Sequence, residues 1–539
     1  MYFKNGETQK ICAFTAQTVK TRFYITLGVL REMKNILLVK GKSVYNSCDR
    51  YIDEWAAAIR KLGCNTCVLD GWSFAHPKFY NHIISSYHFD AMIDLNGGLI
   101  LWNATKTFPK ETIYGFYLCD PPVCMKERLM QADERTIVFA CDRNFCSYMD
   151  KYYAPVKHTK FIPLSGEAYP DHTPYKDRSM DVVFTGTYED AQATKWEIMS
   201  KFEPEGVLAK FAEDLLTDII ESPQHTLPEC LARVLDKYQV KMSDSEFDEL
   251  VDEFYLVDFY ARFYYREKVL LALLDAGITV HVFGNGWERF PLQPDHRLLI
   301  HKGGTYAAQK AVANAKISLN VMPWFKDAFQ ERIASAMLSK TIAATDESKY
   351  ILEKFTDGED LLVYSLKDLE TFAKRVKKLL DHPDEAAKIA ERGYEKVQRH
   401  TWSVRAHEML KAMEETFGVS LIGKGEGQEL VFEAAYPDKH TMRLDAVFEL
   451  NKMADFAENE IGNLPQASDT DVEMLLCRFE RFWRQFSSQL NGLKPSAITS
   501  ELLKSKAYRN NPKHIAELFS MQCRALIGKV LMEDQELKP

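Results

Sequence analysis

Several features that would decide the class of this chain are missing from it. No uncharged apolar run approaches the roughly 20 residues that a membrane-spanning helix needs, so no transmembrane segment is expected. The opening MYFKNGETQK has no apolar stretch of the secretory type, so no signal peptide is expected and the chain reads as cytoplasmic. There is no basic excess. Lys and Arg number 68 against 77 Asp and Glu, a net charge of −9, which argues against a nucleic-acid partner. No GxGxxG opens a helix, so a nicotinamide or flavin oxidoreductase has no support. Metal-ligand spacing is absent too. Cys64-Asn65-Thr66-Cys67 is one CxxC without a second pair, and His76, His82, His88, His281, His296 and His301 share no register, so no metal is expected. Eleven scattered cysteines read as reduced thiols, with Cys67 a core thiol opening the apolar run CVL. Internal repeats and low-complexity tracts are also lacking.

What is present is length and alternation. At 539 residues the chain is too long for one core, and roughly two to four domains are expected. Short apolar runs end repeatedly in glycine or a polar residue. They lie at 35–39 (NILLV), 65–69, 91–95 before Asn96-Gly97-Gly98, 113–118 before Cys119-Asp120, 137–140 before Cys141-Asp142, 160–163 and 181–185. Between the first two, 48–62 places Ile52, Trp55, Ala56 and Ile59 on one helical face, ended by Gly63. This set predicts a Rossmann-like first half. A second set runs through 279–283 (TVHVF) before Gly284, 316–321 (KISLNV) before a loop at 323–330, a helix over 331–338, and 341–345 before Asp346. Alternating strands and helices imply parallel sheets that bind ligands at the carboxyl ends of their strands.

Residues 191–274 read as a helical insertion or linker. Trp196, Met199 and Phe202 form one stripe, and Leu208, Phe211, Leu215 and Ile219 another. The aromatic run FYLVDFYARFYY within it fits core better than a sugar-stacking surface. Trp402, Arg405, Met409 and Met413 fall on a closing helix. Beyond it Val472, Leu475, Phe479, Phe482, Phe486, Leu490 and Leu493 give an apolar stripe, with Ser468 and Asp471 spaced as a capping box.

The series from 276 to 401 carries a resemblance. A strand then FGNGW, SLNV followed by ERIASAM, TDES after the next strand, FTDGEDLLVY, and a closing HTW with an arginine all occur in order. Together they resemble the C-terminal domain of GT-B glycosyltransferases, in the group named for the spore maturation protein CgeB. LCDPPVCMKERL, FACDRNF, KFIPLSGEA and DVVFTGTYED extend the likeness more weakly, so that it covers about 35–413. It implies an α/β GT-B fold, two Rossmann-like domains facing a cleft, with a helical insertion and a C-terminal helical domain. The expected division is 1–190, 191–267, 268–418 and 419–539. It also implies metal-independent, cofactor-free transfer of a sugar from a nucleotide-activated donor to an acceptor. The additional tail suggests a protein or polysaccharide acceptor. Oligomeric state is left open.

Chemistry can then be placed on residues. A departing diphosphate needs cations or helix N-termini. The helix beginning near Phe329 offers free N–H groups, and Arg332 adds a charge that can pair bidentately with phosphate. Gly284, Asn285, Gly286 and Trp287 would let backbone approach phosphate or ribose. Many enzymes of the resembled group carry two glutamates eight positions apart, where this chain has Asp327 and Ser335. Lys340 also replaces a common glycine. The ribose contact then falls to Ser335, or to Glu331 or Asp346, and a catalytically silent GT-B scaffold binding a nucleotide, glycan or protein is the alternative. Asp120 and Asp142 both follow strands, and either could be the base for an acceptor hydroxyl. A turn role before Pro121 is the plainer reading of Asp120.

Overall fold

The computed structural model describes residues 33–40, 47–69, 88–98, 109–169, 173–430, 439–464, 467–486 and 511–533. Two six-stranded sheets, parallel throughout, organise them. The first contains β1 (Asn35–Val39), β2 (Asn65–Leu69), β3 (Ala91–Leu95), β4 (Ile113–Leu118), β5 (Thr136–Ala140) and β6 (Thr159–Phe161), in the order β2-β1-β3-β4-β5-β6. The second contains β7 (Met180–Thr185), β8 (Val280–Phe283), β9 (Leu298–His301), β10 (Ala315–Asn320), β11 (Ile342–Asp346) and β12 (Leu362–Tyr364), in the order β12-β11-β10-β7-β8-β9. Strands β3, β4 and β5 are buried along their whole length, as a sheet covered by helices on both faces requires. Strand order reverses between β1 and β3 in one sheet and between β7 and β10 in the other. Ligands of open parallel sheets bind at such points, outside the carboxyl ends.

One strand changes sheets relative to the sequence reading. The run 181–185, expected to complete the first half, is β7, paired with β8 and β10 at the centre of the second sheet. The segment before it crosses between domains. Arg178, buried within the second domain, donates to the carbonyls of Ala315, Ser339 and Lys340 and to Thr341 Oγ1 at 2.7–3.0 Å. The helical insertion is therefore no linker between halves. Its helices Ala191–Met199, Val207–Glu221, Leu227–Lys237 and Asp244–Glu253 lie inside the β7–β8 crossover, closed by the helix Leu256–Asp275. Phe211, Leu215, Leu231, Val234 and Phe254 make a core of their own there. Trp196 and Leu208, placed on apolar stripes by their spacing, are exposed. The aromatic run is core as expected at Phe254, Tyr260 and Tyr265.

The helix Trp402–Phe417 returns to the first domain. The Trp402 ring lies 4.4 Å from Tyr51 and 5.9 Å from Trp55, centroid to centroid, and Arg405 Nε donates to Pro163 O at 2.8 Å. Residues 419–430 then depart from the expected tail domain. They run along β2, with Thr66 N–H donating to Gln428 O at 3.0 Å and Leu430 N–H to Thr66 O at 2.7 Å. An otherwise open sheet edge is covered in this way. The helices Lys439–Phe456, Asp469–Phe486 and Pro512–Glu533 form a separate core around Leu450, Val472, Leu475, Phe482 and Phe519. The capping box is present, Asp471 N–H donating to Ser468 Oγ at 3.3 Å and Ser468 N–H to Asp471 Oδ2 at 2.5 Å. Leu490, Leu493, His76 and His82 lie outside the described residues. Among the described residues, no helix is long and apolar enough to cross a membrane.

Candidate active site

The carboxyl ends of the two sheets meet. Asp142, after β5, forms an isolated antiparallel bridge with Ala328, in the loop after β10. Its Oδ2 accepts from Asp327 N–H at 3.1 Å and its Oδ1 from Asn144 N–H at 2.8 Å, capping the helix Arg143–Tyr152. Arg143 completes the clasp, reaching Asp327 Oδ1 at 3.1 Å and Glu353 Oε2 at 2.8 Å. Asp142 has no exposed surface, and burial pushes its pKa up. With both oxygens bonded and no path to solvent, it is a clasp and cap in this arrangement, which corrects the expectation that it could be the base. Asp327 is the other half of that clasp.

The glycine loop after β8 is likewise turned inward. Gly284 and Gly286 take φ of 133° and 86°, and a Cβ on either would come within 2.3 Å of the carbonyl of Gly186 or Tyr188. Tyr188 N–H donates to Asn285 O at 2.9 Å, and Trp287 Nε1 to Gly186 O at 2.8 Å. Trp287 is buried against Phe184 and Phe290. The close approach expected toward a ligand goes instead to the loop after β7. The loops after β7 and β8 are knitted together.

Asp346 also looks inward. Its Oδ1 accepts from Met322 N–H at 2.7 Å, and burial pushes its carboxyl up to about 7 against that bond and the nearby Lys326. Lys326 is buried, with its ammonium on the carbonyls of Pro323 and of Pro223 from the insertion. The switch-point loop is thus tied to both its sheet and the insertion. Ser335 meets the segment joining the domains. Its Oγ donates to Glu331 Oε1 at 2.8 Å and accepts from Glu167 N–H at 3.3 Å. A Cβ on Gly166 would lie 2.4 Å from both Ser335 N and Oγ. The ribose contact expected of Ser335 is blocked here by Gly166 and Glu167. Glu167 pairs with Arg50 and lies near Glu54 and Glu331, and burial pushes its carboxyl up to about 7. Lys340 takes φ of 55°, the conformation for which glycine is the usual occupant.

The Gly166 contact is testable. Gly166→Ala forces its methyl against backbone that cannot move without parting the domains. Overpacking of this kind costs about 1–3 kcal/mol, so a fall in melting temperature of several degrees is expected. An unchanged melt would show that the joining segment yields freely.

Arg332 is left facing the gap. The helix Glu331–Leu338 has no side-chain cap at Gln330, so its first N–H groups stay available. Arg332 Nη1 is buried and has no hydrogen-bond partner among the described residues. Burial pulls its pKa down. Arg262, on the closing helix of the insertion, is the residue that sequence reasoning missed. Its guanidinium lies 4.5 Å over the Trp324 ring, and its Nε is also buried without a partner among the described residues. Burial, then the neighbouring Arg332, pulls its pKa down to about 10. Asp120 stands in electrostatic reach of Arg262 from the first domain. The aromatic run FYARFYY read as core, and an arginine embedded in it was the available signal. Two neighbouring guanidiniums, each with a buried donor unmet among the described residues, repel one another and make a ready site for a multiply charged anion.

Residues 266–411 match the family described as Glycosyl transferase-like. The glycosyl transferase-like part spans β8 to β12 and holds Arg332, its helix and the loop before it. Solved structures with similar chains include sucrose-phosphate synthase from Thermosynechococcus elongatus, at 14% identity over 72% of this chain and 100% of that one, TM-score 0.41. HepE from Anabaena in complex with UDP and glucose is similar at 9% identity over 71% and 100%, TM-score 0.43. An alpha-glucosyltransferase in complex with UDP and a 13-mer DNA is similar at 11% over 71% and 99%, TM-score 0.42. Likeness at this level does not extend to substrate or mechanism. No curated protein matches the sequence. Among the described residues, no group of three or more His, Cys, Asp or Glu could hold a metal ion.

Proposed function

We propose that this chain is a glycosyltransferase of GT-B type that uses a nucleotide-activated sugar. The carrying observation is the half-buried pair Arg262 and Arg332 beside the β7–β10 switch point, each with one buried N–H group that has no partner among the described residues. Their reading is the diphosphate of the donor. Asp120 is the remaining candidate for the base. In an inverting course the acceptor hydroxyl gives its proton to Asp120 as its oxygen bonds to the anomeric carbon. The bond from that carbon to the diphosphate oxygen breaks, and the electron pair leaves with the diphosphate, where the guanidiniums meet the growing charge. A retaining course needs no base at Asp120. The arginines can supply the positive charge, so no metal or other cofactor is assigned. The C-terminal bundle supports a macromolecular acceptor, a protein or polysaccharide, because a small acceptor fits a two-domain cleft without it. The free cysteines fit a reducing cytoplasm.

A thermal-shift panel of UDP, GDP, dTDP and ADP tests the reading. At a hundred times its dissociation constant a ligand stabilises the native state by about 2.7 kcal/mol, so at least one should raise the melting temperature by several degrees. No shift with any of them would sink the proposal. The blocked Ser335 favours one second reading, a GT-B scaffold that binds nucleotide without transfer. Stabilisation by a diphosphate with no turnover of any donor would select it.

A further inference from the structure

Asn96 lies at the end of β3, beside the point where the first sheet reverses order. Its φ is 54°, a left-handed conformation that asparagine tolerates better than most residues. The backbone is pinned there from two sides. Asn96 N–H donates to Tyr117 O at 2.9 Å, and Arg128 Nη1 donates to Asn96 O at 2.5 Å. The side chain is fixed as firmly. Cys119 N–H donates to Asn96 Oδ1 at 2.8 Å, and Asn96 Nδ2 donates to Asp120 Oδ2, also at 2.8 Å. A flipped amide would set NH2 against N–H and oxygen against carboxylate, so only one orientation is allowed. Asp120 Oδ1 has no hydrogen-bond partner among the described residues, and Arg262 lies beyond it.

We propose that Asn96 is a positioning residue for the transfer step, holding one oxygen of Asp120 so that the other points across the gap to receive the acceptor proton. The inference rests on Asp120 being the base. It adds the device that aims the carboxylate and keeps it ionised. Burial raises the Asp120 pKa, and the Asn96 bond, Arg262 and Arg128 each pull it back. Among the described residues, the thiols of Cys124 and Cys141 also face it. Burial pushes Cys124 up to about 12 and Cys141 well above its ordinary value, so both stay neutral in the working range. Removing the Asn96 side chain takes away one of the three opposing influences, so the Asp120 pKa must rise. Because a base works only when deprotonated, the acid limb of activity moves to higher pH.

Asn96→Gly is the suitable variant, since glycine holds a positive φ without strain. Release of nucleoside diphosphate from UDP-glucose, GDP-mannose or dTDP-glucose, with water as acceptor, gives the rate profile in the full chain. The expected result is an acid limb about half to one unit higher and a kcat lower on the order of tenfold, with KM near that of the parent and a melting temperature a few degrees lower, since Cys119 N–H loses its acceptor. A second readout needs no turnover. The infrared carboxyl band that vanishes in Asp120→Asn is followed against pH in Asn96→Gly, and its midpoint should rise by the same amount. An unmoved limb or midpoint overturns the role of Asn96. Full turnover in Asp120→Asn instead overturns the base reading, and the two failures are separable because the infrared band reports the protonation of Asp120 without any turnover.

Discussion

Arg332→Ala is expected to lose donor turnover by about two to three orders of magnitude, the usual cost of removing a preorganised charge from the place where negative charge develops. The same variant should melt no lower than the parent. Arg332 has a buried Nη1 without a partner among the described residues and a second guanidinium beside it, so its removal relieves desolvation and repulsion. Activity lost while stability is kept or gained is the signature of a group placed for a ligand. Arg262→Ala should behave alike, because the two arginines are assigned to one diphosphate. The double variant should then cost less than the sum of the singles, since neighbouring groups on one ligand couple. Arg332→Lys keeps the charge but loses the bidentate fork and should fall between. Steady-state kinetics and melts with and without the stabilising diphosphate check all four. Parent-like turnover in Arg332→Ala would remove the diphosphate from this site.

Most strands of both sheets were legible because a buried parallel strand is a short apolar run, and that signal is local; β9 and β12 were not read, β9 lying at a sheet edge with Leu299 and Ile300 exposed. Which sheet a strand joins is not local. The run at 181–185 has the same pattern as its neighbours, and only the crossing segment around Arg178 sends it to the second sheet. Cys64 and Cys67 are buried in the first core, as the apolar run beside them implied. Arg332 was legible because a helix start at a strand's carboxyl end is a physical site in its own right. Arg262 was not, since it arrives from an insertion distant in sequence. Asp142, Gly284 and Gly286 had the right residue types at the right ends. Each can satisfy either a ligand or a neighbouring loop, and only the three-dimensional arrangement shows that here the loop takes them.

The largest expected loss of stability is at Asp471. This carboxylate has no exposed surface, yet it gathers five donors, the Ser468 hydroxyl at 2.9 Å from Oδ2 among them. Its Oδ1 accepts the hydroxyls of Tyr306 and Tyr169, the latter at 3.1 Å, and its Oδ2 accepts Lys310 Nζ at 2.7 Å and Ser468 N–H at 2.5 Å. Lys310 and Tyr306 belong to the helix Thr305–Ala313 of the second domain, so Asp471 fastens the C-terminal bundle to it, together with Glu460, whose Oε2 accepts from Tyr306 N–H at 2.9 Å and Ala307 N–H at 3.2 Å. Burial raises the Asp471 pKa, but Lys310 and Tyr306 outweigh it and hold the carboxyl below its ordinary value. A carboxyl depressed in the folded state contributes stability that is full above its unfolded pKa and is lost as pH falls through the folded one. Asp471→Ala removes the counter-charge from a half-buried ammonium and the cap from a helix, a change of about 2–4 kcal/mol. Asp471→Asn, which keeps shape and part of the cap, should lose less. Combining Asp471→Leu with Lys310→Met should recover much of the loss, because replacing both members of a buried pair restores what replacing one destroys. The readout is a melt followed by limited proteolysis. In Asp471→Ala the residues beyond 431 should be cleaved first, while the two sheet domains, closed on their own by the helix Trp402–Phe417 and the strap at 419–430, persist. Loss of both sheet domains together with the bundle would show that they share one cooperative unit, and would rule out the bundle as a separately docked module.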